Sequence, residues 1–80
     1  MMFDRTILSL KKGTKFKASV NYCNLGSFLY RQGLRDNQVV KCEMLDDTDT
    51  EPDVLISIDG SEVIMNSQDD YNDFSLKFKT

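Results

Sequence analysis

The sequence predicts a mostly β domain, a small five- to six-stranded barrel with one short helix or helical turn. Three observations predict it. Apolar and polar residues alternate with a period of two in four separate stretches. Asp59-Gly60 sits between two such stretches as a two-residue hairpin turn. The 80 residues leave room for one domain, spanning 1–80, with a small core.

The elements follow in order. Ile7 to Lys11 alternates around Leu8 and Leu10 as a short first strand. Lys12-Gly13-Thr14 is a turn. Phe16, Ala18, Val20 and Tyr22 alternate with Lys15, Lys17, Ser19 and Asn21, which gives a strand with one apolar and one wet face. Residues 25–33 form one or two turns of helix or an irregular loop. Asn24 or Ser27 serves as its cap, and Gly33 sits at its left-handed terminus with Leu34 folded back. Val40, Cys42 and Met44 mark the next strand. The run Asp46-Asp47-Thr48-Asp49-Thr50-Glu51-Pro52-Asp53 is an exposed loop. In the hairpin, Ile58 faces Ser61, Ile56 faces Val63 and Val54 faces Met65, all toward the core. Ser57 with Glu62 and Leu55 with Ile64 lie on the opposite face. Leu55 and Ile64 are expected to be covered by the helix or the N-terminal strand, the alternative being a binding patch. Residues 68–73 form a second acidic turn, and Phe74, Leu76 and Phe78 mark the last strand.

This order, over residues 14–80, resembles that of SH3-like barrels. A long excursion follows the first core strand, a tight hairpin comes later, and a single turn leads into the last strand. The resemblance is one of architecture. The aromatic, proline-binding surface of SH3 domains is missing, so it implies no peptide-binding function. The competing architecture is a β-grasp-like α+β fold, in which a real helix at 25–33 crosses a mixed sheet.

Composition narrows the function classes. The chain has no histidine, which removes the commonest general base, the commonest metal ligand and the usual nucleophile triads. Two cysteines without histidine do not complete a structural zinc site. Cys23 and Cys42 are expected to be reduced core residues. The N-terminus reads Met-Met-Phe-Asp-Arg-Thr, unlike a secretory leader, and no stretch approaches the length of a membrane span. The expected setting is therefore cytoplasmic, with no membrane partner and no cofactor.

The net charge of −3 conceals an asymmetry. Residues 1–42 hold eight cations against two carboxylates, and residues 43–80 hold two cations against eleven carboxylates. Two candidate surfaces follow. The acidic one comprises Asp46, Asp47, Asp49, Glu51, Asp53, Asp69, Asp70 and Asp73, a partner-binding end able to imitate a phosphate backbone. As a calcium loop the run from Asp46 lacks the turn glycine and the closing glutamate, so no metal site is expected. The basic one comprises Lys11, Lys15, Lys17, Phe28, Tyr30, Arg31 and Arg35, a mixture of cations and stacking aromatics of the kind that binds single-stranded nucleic acid.

Three functions remain in view, none of them enzymatic. The first is a small accessory regulator or inhibitor, of the kind that phages encode, docking a charged surface onto a protein partner. The second is an RNA- or single-stranded-DNA-binding barrel that uses the basic first half. The third is a homo-oligomer subunit joined by sheet edges or by the Leu55/Ile64 face.

Overall fold

A computed structural model describes residues 3–23, 28–46, 52–66 and 74–79, with side chains for all of these except Tyr22, Cys23, Phe28, Leu29 and Phe74. The elements are α1 (Arg5–Leu8), β1 (Lys15–Cys23), α2 (Phe28–Arg31), β2 (Val39–Asp46), β3 (Asp53–Ile58), β4 (Ser61–Asn66) and β5 (Phe74–Lys79). The five strands form one antiparallel sheet in the order β4-β3-β2-β1-β5. Four consecutive strands run as a meander, and the last strand crosses to lie beside the first. β4 and β5 are the two edges, and no pairing joins them among the described residues.

Alternation explains the burial. On one face Phe16, Ala18, Val20, Val40, Cys42, Met44, Val54, Ile56, Ile58, Met65 and Leu76 are buried, and on β1, β2 and β3 they fall two residues apart. Phe3, Ile7 and Leu34 complete this single core from outside the sheet. Phe16 and Phe78 stack across it with ring centroids 6.1 Å apart. Two irregularities bend the sheet over this core. The register slips by one residue between Val20 and Tyr22 on β1, and between Met44 and Asp46 on β2. An extra residue in one strand increases local twist and curvature.

The hairpin forms in the expected register, with Ile58 opposite Ser61, Ile56 opposite Val63 and Val54 opposite Met65. Asp59 (φ 37°) and Gly60 (φ 85°) both adopt positive φ, as a type I′ turn requires. The residue Gly33 (φ 105°) ends α2, donating its N–H to the Tyr30 carbonyl at 3.1 Å, and Leu34 is buried in the core.

Four expectations are corrected. Residues 5–8 are a helical turn, not a strand. The Asp4 side chain accepts the Ile7 N–H at 2.9 Å, so the chain is capped into α1 before alternation can extend it. The run from Asp46 to Asp53 is not wholly an exposed loop. Asp46 ends β2, Asp53 begins β3 opposite it, and Pro52, just ahead of β3, is buried. Ile64 is not covered, being 60% exposed, while Leu55 beside it is half-buried. The mixed sheet of a β-grasp fold is replaced by strands that are antiparallel throughout, and α2 is a single turn.

The N-terminus secures the β5 edge. Phe3 bridges to Leu76 in parallel, and the Asp4 N–H donates to the Leu76 carbonyl at 3.2 Å. The second carboxylate oxygen of Asp4 accepts the Phe78 N–H at 2.7 Å. One carboxylate thus caps a helix and satisfies an edge-strand donor at once.

Candidate functional site

The outer face of the sheet collects lysines. β1 places Lys15 and Lys17 there, as alternation with Phe16 and Ala18 demands. Register fixes their neighbours. Lys17 lies directly opposite Lys41 on β2 and, on its other side, opposite Lys79 on β5. Lys79, Lys17 and Lys41 therefore form one row across three strands, spaced by about 5 Å at the backbone. Lys77 lies beside Ser19 one step along the seam, and Lys15 one step in the other direction. Successive same-face residues on a strand stand about 7 Å apart. The five side chains are all exposed.

Carboxylates border this cluster on one side. Glu43 pairs with Lys15 in register and then with Leu55 on β3. Glu62 on β4 lies opposite Ser57, which is itself opposite Lys41. These residues surround a shallow open hollow of about 420 Å³, lined by Lys15, Lys17, Lys41, Glu43, Leu55 and their strand neighbours. The face thus carries lysines over β5, β1 and β2, with Glu43 among them opposite Lys15, and Leu55, Glu62 and Ile64 over β3 and β4. No ion pair joins any of the five lysines to a carboxylate among the described residues.

Unpaired like charges directly opposite one another in a sheet are unfavourable. Among the described residues no carboxylate pairs with this row. The arrangement gathers three ammonium groups over about 10 Å of sheet width.

The sequence-derived basic set divides. Lys15 and Lys17 are central to the face. Lys11 is exposed ahead of β1, in the turn where its carbonyl accepts the Thr14 N–H at 3.0 Å. Arg31 is exposed at the end of α2, where Phe28 begins the same turn. Arg35 is engaged within the fold: its guanidinium lies 3.6 Å from the Tyr30 ring centroid, and Nη1 donates to the Tyr30 and Leu34 carbonyls at 2.7 and 2.9 Å. Tyr30 thereby offers one of its ring faces to Arg35. Lys41, Lys77 and Lys79 were not among the sequence candidates. Alternation put each on a wet face, but β5 lying beside β1 was invisible locally.

Of the acidic set, Asp46 and Asp53 face each other at the β2–β3 end, and the Asp53 carboxylate accepts from the Asn66 side-chain amide at 2.9 Å. Asp47, Asp49, Glu51, Asp69, Asp70 and Asp73 lie outside the described residues. The two halves of the sequence therefore do not map onto two faces. Lys77 and Lys79 from the acidic half join the basic cluster, and Glu43 and Glu62 border it.

Cys42 is buried among the core strands, and burial pushes its thiol up to about 12. It stays protonated at neutral pH and packs in the core. The Cys23 side chain lies outside those described. Among the described residues no three His, Cys, Asp or Glu side chains are grouped to hold a metal ion, and no helix is long and apolar enough to cross a membrane.

Compared with known protein families, curated proteins and solved structures, the chain shows no match.

Proposed function

We propose that this chain is a small non-enzymatic interaction protein that docks the outer face of its sheet onto an anionic macromolecule. It acts by occupying a partner's surface rather than by turning over a substrate. The observation that carries the reading is the unneutralised row Lys79–Lys17–Lys41. Its side chains are exposed and lack ion-pair partners among the described residues. It sits on a rigid element: β1 is hydrogen-bonded on both sides, so the lysine stems emerge from fixed backbone positions. In the same reading, the meander with its last strand returned beside the first is a half-open form of an SH3-like barrel, and the lysine row runs across its outer wall. The reading that gives the acidic segments the docking role rests mostly on residues 47–51 and 69–73, which lie outside the described residues.

Retention on immobilised heparin tests the reading. The chain is acidic overall, so only a segregated basic patch retains it near neutral pH. The doubly reversed variant Lys17→Glu with Lys41→Glu is expected to elute at clearly lower salt than the unaltered protein. Reversing Lys11 and Arg31 instead is expected to have the smaller effect. Equal retention of all three proteins excludes the sheet face as the docking surface.

A further inference from the structure

We infer that the anion this face takes is the sugar-phosphate backbone of one nucleic-acid strand, bound along the β5–β1 seam without regard to base sequence. The inference rests on the docking face proposed above and names its partner.

The residue types on the face separate the possible partners. Protein interfaces are enriched in aromatic residues, Met and Arg at their centres and depleted in Lys. This cluster is the reverse, with five lysines, no arginine and no aromatic side chain facing outward with them among the described residues. Lysine ammoniums are compact, mobile point charges that bind phosphate without a fixed bidentate geometry. Contacts to phosphate carry no sequence information.

Layout then separates one strand from two. The lysines occupy three levels along the seam, Lys77, then Lys79 with Lys17, then Lys15, with Lys41 beside the middle level. Adjacent levels are about 7 Å apart along the strands, a step comparable to that between successive phosphates in a stretched single strand. Glu43 stands on β2 opposite Lys15, and Glu62 on β4. A second phosphate backbone, held by a duplex across a groove, would meet those carboxylates. The positive track is therefore one strand wide.

Counterion release makes the inference quantitative. A single strand that loses Z condensed-ion contacts shows a log–log salt slope of about −0.7Z. Engagement of three to five lysines predicts a slope of roughly −2 to −3.5.

The test is fluorescence anisotropy of labelled oligothymidylate and oligouridylate, each of about 15 nucleotides, and of a duplex of equal length. Each is titrated with the full chain at several salt concentrations between about 50 and 200 mM. The expected result is that both single strands bind with that slope and bind tighter than the duplex. Lys17→Glu with Lys41→Glu is expected to weaken binding by at least about tenfold, and the milder Lys17→Gln with Lys41→Gln to flatten the slope. Far-ultraviolet circular dichroism confirms that both variants are folded. Duplex binding as tight as single-strand binding overturns the one-strand assignment. Single-strand binding indifferent to both variants overturns the placement on this face. If neither single strand binds while heparin retention still depends on Lys17 and Lys41, the partner assignment fails but the docking face survives, with an acidic protein as its occupant. Loss of both responses removes the docking face as well.

Discussion

The β3–β4 hairpin and the β1–β5 seam belong to one sheet but are put together differently. In the hairpin, two turn residues join strands that pair over six registered positions, and the core contacts of Val54, Ile56 and Met65 follow from local alternation. In the seam, the partners come from opposite ends of the chain, their register slips by a residue, and the outer edge is secured by Asp4 from a third segment. The hairpin presents Ile64, Leu55 and Glu62 outward, while the seam presents Lys15, Lys17, Lys77 and Lys79. Short-range chemistry thus builds the scaffold, and long-range pairing concentrates the charge. Pairing that closes a long loop costs more entropy before its contacts form, so the seam is the part that should come apart first.

The largest expected effect comes from removing the clamp on that seam. Asp4→Ala deletes the cap of α1 and strands the Phe78 N–H, for a combined loss of about 2 kcal/mol in urea unfolding. Asp4→Asn keeps one acceptor oxygen and should fall between the two. Equal stability of all three proteins would show that the N-terminus does not hold the β5 edge.

A pH-dependent effect comes next, from a residue that neither region contains. The folded Cys42 thiol titrates near 12 against a reference of 9.0. Folding therefore favours the protonated thiol. Its contribution is intact below about pH 9 and is lost as pH climbs toward 12. Between pH 8 and 10 this amounts to about 1.4 kcal/mol. Cys42→Val should show a smaller loss over that interval by thermal unfolding at each pH, and an identical loss would remove burial of Cys42 as a cause.

The hairpin gives the third effect. Gly60→Ala places a Cβ on a residue with φ of 85°, where nothing crowds it but the backbone conformation is unfavourable. The expected loss is about 1 kcal/mol, with the lysine face unaffected. The smallest effect has the opposite sign. Lys17→Glu replaces two like-charge neighbours by two attractive ones and should raise the melting temperature by about 2 °C. Destabilisation would mean that the row is neutralised in solution.

How much of this was legible in the sequence follows the same division. The register of the hairpin could be written down from Asp59-Gly60 and the alternation on either side, and every predicted pair is present. The strands around Ala18, Cys42 and Leu76 were legible for the same reason. The first turn was misread because Leu8 and Leu10 alternate over too few residues to outweigh one carboxylate, Asp4, in a capping position. The site was half legible. Lys15 and Lys17 stood out as a pair on one strand face, but Lys41, Lys77 and Lys79 acquire meaning only once β1 lies between β2 and β5. Counting charge by sequence halves also misled, because neighbours in a sheet need not be neighbours in the chain.

Chemical-shift mapping of the isotope-labelled chain, titrated with oligothymidylate, tests the central claim most directly. Perturbed amides are expected to cluster on Lys15–Ser19, on Lys41 and its neighbours, and on Lys77–Lys79, with residues 59–66 little changed. Perturbations centred instead on α2 and residues 30–38, or spread evenly over the chain, would contradict it.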